Sequence, residues 1–495
     1  MERLAPDLRS SLLDITPSSV VCEDGLQYGL ARIMAQPRLA VLAPTATILP
    51  PGFSGEYSEL EGKLLLLCQL NSRNAQALRQ RLSWLRPRLL GRQTSAGMGD
   101  RLGLATPGHI HALRAVKGNI APIFAQQSMR EMARTRRSPQ EVMDDATWAM
   151  FAEGWTHGAG ADADHLKTCD DIEQCLTAGF TFFTFDPGAH VDGRARNADA
   201  AVLRELAAAL PEEITPRASG LQDKTFALRD STIHFDERTL LRAAVKYGRA
   251  VAHVAGLFRY LESAAGAKPF EVEISVDETD QPTSHAEHIY IASELKRLGV
   301  AWVSLAPRFV GRFEKGVDYI GDVAEFEADI AQHAEIARRF GPYKLSLHSG
   351  SDKFSIYPAA MQQTRGLVHL KTAGTSYLEA LRTIAVYDPA MLREIYRFAR
   401  ERYETDRATY HVSAQLAMAP EPGMVTDWVA LLDQFDAREI LHVTFGSVLT
   451  ENGPDGRPRF HNRLMDVLLS YPDAYAANLE RHFVRHLRPF AAREA

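Results

Sequence analysis

Two carboxylates, a histidine and a lysine stand together in Gly160-Ala-Asp-Ala-Asp-His-Leu-Lys-Thr168, where a short apolar segment ends. A second apolar run, Phe180–Phe185, stops at Asp186-Pro-Gly with His190 close behind. Acids and imidazoles grouped in this way move protons or bind divalent cations. Parallel α/β enzymes build their sites from such clusters at strand ends, because the loops there converge on one face. Any one of Asp162, Asp164 and Asp186, taken alone, caps a helix as readily as it catalyses. Recurrence of the arrangement along the chain favours chemistry.

It recurs at six further strand ends. Ala125-Gln-Gln-Ser128 closes one, while Thr184 adds a hydroxyl to the end of Phe180–Phe185 itself. In Glu271-Val-Glu-Ile-Ser-Val-Asp-Glu278 polar and apolar residues alternate, so Glu271, Glu273, Ser275 and Asp277 share one face. Glutamates facing into a barrel need a metal, a cation or a shared proton. Later ends carry Pro307-Arg308-Phe309, Leu347-His348-Ser-Gly-Ser-Asp-Lys353, His369-Leu-Lys371 and His411. Carboxylates with neutral imidazoles suit Zn²⁺, Mn²⁺, Ni²⁺ or Co²⁺. His165 and His348, each in a dense polar cluster, read as ligands of such a divalent metal cation, with Glu273 between them in chain order. His369 and His411 read as hydrogen-bonded structural residues. Lys167, Arg308, Lys353 and Lys371 offer positive charge to an anionic substrate, with a solvated surface side chain as the ordinary alternative. His109-Ile-His111 imitates the metal-binding HxH pair of the amidohydrolase barrels. It runs from Thr106-Pro-Gly into Ala112-Leu-Arg-Ala-Val, and so reads as a helix start.

The elements that must position these residues are strands alternating with helices. Short β-rich runs fall at Asn119–Phe124, Gly160–His165, Phe180–Phe185, Phe270–Val276, Ala301–Ala306, Tyr343–His348, Leu367–Lys371 and Thr409–Val412. Helical periodicity lies between most of them, at Pro139–Phe151, Asp170–Ala178, Ala286–Leu298 and Val323–Phe340. Eight such strands predict a (β/α)8 TIM-type barrel over residues 96–450, with a doubly wound sheet as the competitor. No Rossmann fingerprint or P-loop is present in the sequence. A long interval near 190–268, holding Leu203–Leu210 and an amphipathic stretch from Glu237 to Glu262, reads as a helical insertion over one edge of the site. Residues 1–95 form an N-terminal α/β extension packed on the barrel. Arg38–Ala43 and Lys63–Leu70 are its expected strands, Pro50-Pro-Gly-Phe-Ser-Gly a loop, and Asn74–Arg88 a helix. Residues 451–495 are expected to be a helical tail.

Composition narrows the partners. A net charge of -6 with mixed signs leaves no basic footprint for nucleic acid. No apolar run approaches the roughly 18 residues that span a bilayer. The start lacks a signal-peptide pattern, and Cys22, Cys68, Cys169 and Cys175 form no CxxC pair. Together these lead to the expectation of a cytoplasmic chain with reduced cysteines, a small-molecule substrate and no nucleic-acid or membrane partner. Homo-oligomerisation stays open.

Eight separate segments, in order, carry a resemblance. They are Gly97-Met-Gly-Asp-Arg-Leu-Gly-Leu-Ala-Thr-Pro-Gly-His109, Phe124-Ala-Gln-Gln-Ser128, Asp144-Asp-Ala-Thr-Trp148, Gly160–Thr168, Phe180–Asp192, Ser275-Val-Asp-Glu-Thr279, Ala306-Pro-Arg-Phe309 and Leu347-His-Ser-Gly-Ser-Asp-Lys353. The chain closely resembles the tagaturonate epimerase family over most of residues 95–450, and more loosely before that. These are bacterial enzymes of hexuronate breakdown that interconvert tagaturonate and fructuronate; some members act on the neutral pair tagatose and fructose. The resemblance implies a metal-dependent barrel and a sugar or sugar-acid substrate. It implies Asp164 and Glu273 as an acid/base pair, His165 and His348 as metal ligands, and Glu271, Asp277 or Asp318 as a third ligand. Gln127, Ser128, Thr184, Arg308 and Lys353 are the expected substrate contacts. The two uronates differ at the third carbon from the carboxylate while the ketone is at the fifth, so simple enolisation does not acidify the inverted C–H. Retro-aldol cleavage and re-addition fit, with a divalent cation as Lewis acid; transient oxidation by NAD lacks a dinucleotide motif. A metal-dependent hydrolase or an aldolase acting on a sugar acid are the alternatives.

Overall fold

The computed structural model describes residue 8 and residues 13–34, 36–44, 51–60, 62–372 and 374–491. Its centre is a closed barrel of parallel strands: β1 (Ser95–Gly97), β2 (Ala121–Ser128), β3 (Gly160–Leu166), β4 (Phe182–Phe185), β5 (Glu271–Ser275), β6 (Ser304–Ala306), β7 (Lys344–Leu347) and β8 (Val368–Lys371). Each pairs with its neighbours in chain order, and β8 closes on β1 through His369↔Ser95 and Lys371↔Gly97. This is the (β/α)8 architecture. One strand is corrected. Thr409–Val412 is not in the barrel; its first residue ends the 3-10 turn Arg407–Thr409, and the place is taken by Ser95–Gly97. Three small residues carry no periodicity, whereas Thr409–Val412 has the β-branched look of a strand without neighbours to pair with.

Local sequence explains most helix boundaries. Ser138 and Glu141 form a capping box that starts the Pro139–Ala152 helix, and Thr168 with Asp171 does the same for Cys169–Ala178, which stops at Gly179 (φ 95°). His109 and His111 lie inside the Thr106–Val116 helix. The insertion holds the Glu237–Ala265 helix, packed on His285–Arg297. Towards the C-terminus, Pro472–Leu487 packs on Thr106–Val116. A Cβ at Gly108 would lie 2.4 Å from Leu479 Cβ, so only glycine allows that approach.

Before the barrel lies a six-stranded antiparallel sheet that includes Gln36–Ala43, Gly55–Leu60 and Lys63–Gln69. The expected loop at Pro50 begins outside the described residues, and Gly55–Leu60 is a strand that its exposed, polar sequence concealed. The following helix is shorter than expected, Ser72–Arg81, capped by Asn71. It docks on Pro139–Ala152 through Arg79, 2.9 Å from Asp144. The four cysteines are free. Among the described residues no helix is long and apolar enough to cross a membrane.

The two faces of the barrel differ in an unusual way. The outer positions Phe183, Val272, Ile274, Leu305, Leu345, Leu347 and Leu370 are apolar and buried under the helices. By strand alternation the lumen receives Ser95, Asp162, Asp164, Thr184, Glu273, Lys344, His369 and Lys371, all buried as well. A barrel interior is ordinarily filled with branched apolar side chains. Here it is polar almost throughout.

Candidate active site

One ammonium organises the lumen. Lys371 Nζ, at the end of β8, lies 2.6 Å from Asp164 Oδ1, 2.9 Å from Asp162 Oδ2 and 2.9 Å from Glu273 Oε1. It also donates to Thr184 Oγ1 (2.7 Å), whose own proton goes to Asp162 Oδ1 (2.9 Å). Burial works against this charge, but Asp162, Asp164 and Glu273 hold the lysine well above its ordinary pKa. Burial would likewise push Glu273 up; Lys371 and His348 overcome it and keep the carboxylate ionised. Asp164 is held low against burial by His165 and Lys371. Asp162 has no such surplus of cations, and burial carries it up to about 6.

The histidines sit one layer higher. His165 Nδ1 is 2.8 Å from Asp164 Oδ1, and its φ of 56° is a left-handed conformation at the end of β3. Such strain persists where surrounding structure enforces it, commonly at functional positions. His348 lies between Glu273 (Nε2, 2.6 Å) and Asp277 (Nδ1, 3.1 Å), and the two imidazole rings are 5.1 Å apart. One ligating atom from each of Asp164, His165 and His348 falls within 4.8 Å of the others.

These residues fit a divalent cation. Asp162, Asp164 and Glu273 crowd round a single lysine, Asp277 adds a fourth carboxylate beside His348, and Glu273 Oε2 is buried with no hydrogen-bond partner. Burial opposes a proton on His348, yet Asp277 and Glu273 draw its pKa up to about 10. A metal at this place would take over the role of those protons, since metal-bound imidazoles are neutral.

The other expected residues separate. Thr184 is in the lumen. Ser128, level with Asp164, caps a helix by accepting the Glu131 amide proton. Gln127 is level with Ala163, so alternation turns it away from the lumen; the inward glutamine is Gln126, whose side-chain amide is buried and unpartnered. The signal was parity along the strand, and the doubled glutamine hid it. Arg308 follows β6 with a buried, unpartnered Nε. Lys353 is fully buried and donates to the carbonyls of Glu314, Val317 and Ser351, which leaves no donor for a substrate. Of the third-ligand candidates, Glu271 accepts the Leu90 and Gly91 amides at the opposite end of the barrel, and Asp318 is exposed and holds Tyr319 N and Ser355. Asp277 remains, together with Asp164. His369 is hydrogen-bonded, its Nδ1 2.9 Å from Ser95 Oγ, and His411 is exposed.

One cation escaped the sequence reading. Lys315, on the loop after β6, is half-buried, and none of the described hydrogen bonds or ion pairs uses its Nζ. Burial and Arg130 lower its pKa while Glu278, Glu131 and Asp277 raise it, which places it among the charged groups at the mouth of the site. A cavity of about 570 Å³ adjoins that mouth at Glu278 and is walled by the insertion through Arg196, Arg242 and Lys246. A second cavity, about 690 Å³, lies elsewhere, against Asp318, Arg438 and the Pro472–Leu487 helix.

Comparison with known proteins agrees with the barrel fold. The family model for tagaturonate epimerase (UxaE) matches residues 18–490. A tagaturonate/fructuronate epimerase of Thermotoga maritima is 42% identical over 429 residues, covering 86% of this chain and 87% of that protein. Crystal structures of fructuronate-tagaturonate epimerase UxaE from Cohnella laeviribosi superpose with TM-scores of 0.90 (native, 37% identity, 98% of this chain and 97% of that one) and 0.91 (with two glycerols, 36% identity, 98% of each). The chain belongs to the tagaturonate epimerase family, a family of isomerases acting on carbohydrates.

Proposed function

We propose that this protein interconverts tagaturonate and fructuronate by retro-aldol cleavage and re-addition at the polar end of the barrel. The observation that carries the reading is the pair Asp164 and Glu273, two ionised carboxylates from different strands bridged by one lysine. The similarity to an epimerase of that name supports the substrate. One carboxylate takes the proton from the hydroxyl on the third carbon. The bond from the third to the fourth carbon breaks, leaving an aldehyde on the three-carbon acid and placing the electron pair in an enediolate. After the aldehyde turns, the fourth carbon re-adds to its other face, and the proton held by the first carboxylate, passed to the opposing one through the Lys371 ammonium that bridges them, is returned to the new alkoxide. Lys371 keeps both carboxylates charged and fixed between turnovers.

His165 and His348, with a carboxylate from Asp164 or Asp277, would hold a divalent cation. The chemistry it supplies when bound is Lewis-acid stabilisation of negative charge developing on oxygen. Lys315 and Arg308 are the cations proposed to meet the distal carboxylate.

The test is an NMR assay of metal-reconstituted enzyme with tagaturonate, and fructose in a parallel tube. Appearance of fructuronate, abolished by chelation and restored by Mn²⁺, Zn²⁺ or Ni²⁺, is expected. Conversion of fructose alone would replace the substrate, and accumulating three-carbon products would mean an aldolase. Asp164→Asn and Glu273→Gln should each abolish turnover with the metal content unchanged; loss of metal from Asp164→Asn would move that residue into the ligand set.

A further inference from the structure

A second group of ligating side chains lies outside the barrel mouth. His285 opens the His285–Arg297 helix, and Asp329 and His333 stand one turn apart on the neighbouring Val323–Phe340 helix. His285 Nε2 is 3.0 Å and His333 Nε2 3.5 Å from Asp329 Oδ1, and the three ligating atoms all fall within 4.8 Å of one another. Two donors each about 2.0–2.1 Å from a tetrahedral zinc-class ion stand about 3.3 Å apart. The separations therefore already approximate two edges of such a coordination shell.

The hydrogen bonding behind the cluster sets its protonation. His333 Nδ1 is 2.8 Å from His288 Nδ1, and His288 Nε2 is 2.8 Å from Tyr343 Oη. One proton must lie between the two Nδ1 atoms. With that proton on His333 Nδ1, His288 Nδ1 is the acceptor. His288 then donates from Nε2 to the tyrosine. This leaves His333 Nε2 with a bare lone pair, wholly buried, without a hydrogen-bond partner and directed at a carboxylate oxygen. In that tautomer two acceptors face each other across 3.5 Å. A buried polar atom in that position calls for a missing partner, and a cation supplies it.

We propose that His285, Asp329 and His333 form a second divalent-cation site, distinct from the cluster in the lumen. Two imidazoles and one carboxylate suit Zn²⁺, Co²⁺ or Ni²⁺ in preference to Mg²⁺ or Ca²⁺, which favour all-oxygen shells. The side chains of His285 and Asp329 are 25% and 11% exposed, so an ion and a water ligand reach the site from solvent. Its role is structural. Asp329 Oδ2 also accepts the Val310 amide proton (3.2 Å), and Thr283 is bound to Arg308 by a bond in each direction (2.7 and 3.0 Å). The ion would tie two outer helices to the loop that presents Arg308.

The test uses full-length protein stripped with a chelator and reloaded with Zn²⁺ or Co²⁺, with metal counted by plasma mass spectrometry. The double variant His285→Asn/Asp329→Asn is expected to bind one equivalent fewer than the wild type. It should also lose the visible absorption of tetrahedral Co²⁺ assigned to this site, while a His165→Asn/His348→Asn variant keeps it. Equal stoichiometry and spectra in the wild type and the His285→Asn/Asp329→Asn variant would overturn the proposal. A crystal of unaltered protein soaked in Zn²⁺ gives a readout that does not depend on a variant folding. An anomalous peak among the three side chains supports the site, and an empty map there at full soak overturns it.

Discussion

Exchanging Lys371 for methionine keeps the side chain as far as Cε and removes the charge that three buried carboxylates share. At 2.9 Å an ion pair contributes about 6 kcal/mol at an effective dielectric of 20, before desolvation. Burying each ion costs several kcal/mol, and breaking such a cluster by removing one partner destabilises by about 3–5 kcal/mol net. The sign with pH follows from the carboxylates. Asp164 and Glu273 are held below their ordinary values in the folded protein, so their contribution is present at neutral pH and lost as pH falls through the acid range. Without Lys371 that contribution shrinks, and the deficit of Lys371→Met should be large at pH 7–8 and small near pH 4. Adding Asp162→Asn removes one of the uncompensated charges and should recover part of the stability while restoring no turnover. Thermal and urea unfolding of the wild type, Lys371→Met and the double variant at both pH values, beside the epimerisation assay, make the comparison. A single variant as stable as the wild type at pH 8, or a deficit that does not change with pH, would mean that Lys371 does not hold these carboxylates in the folded state.

Lys315→Met should raise KM for a uronate at least tenfold with kcat nearly unchanged, about 1.4 kcal/mol or more of lost binding; a neutral ketose should not notice it in the same steady-state assay. Lys353→Met should leave KM alone and lower the melting temperature, because the three carbonyls it serves lose their donor. Burial and Glu314 lift the Glu439 carboxyl from 4.5 to about 8, so the folded state favours its protonated form and stability is lost as pH rises through that interval. Glu439→Gln should remove that loss, seen as a gap in melting temperature over the wild type that widens from pH 6 to pH 9.

The barrel was legible where strands carried a two-residue alternation and helices carried caps. Glu271 to Ser275 announced their shared face, and Ser138 with Glu141 marked a helix start. Ser95–Gly97 was not legible, because three small residues have no pattern until Lys371 and Ile123 flank them on either side. The same limit governed the site. Asp164, His165, Glu273 and His348 stood out because several polar residues met at one strand end. Lys371 looked like one of several lysines, and its place at the centre of the charges depends on barrel closure. Lys353 had equal claim in sequence, but it lies beyond β7 in a turn whose carbonyls needed a donor. Lys315 sits in a loop with no period at all, and only the fold brings it near Asp277 and Glu278.

The polar lumen separates two tasks that most barrels combine. Each strand spends its outward side chains on cohesion with the helices and its inward ones on charge. An exchange inside the lumen therefore disturbs the balance of charges but scarcely touches apolar burial. What it must conserve is electroneutrality rather than volume. A lineage carrying this scaffold can drift in what it recognises by trading one ionisable side chain for another in matched pairs, while the surface that holds the molecule together is left as it was.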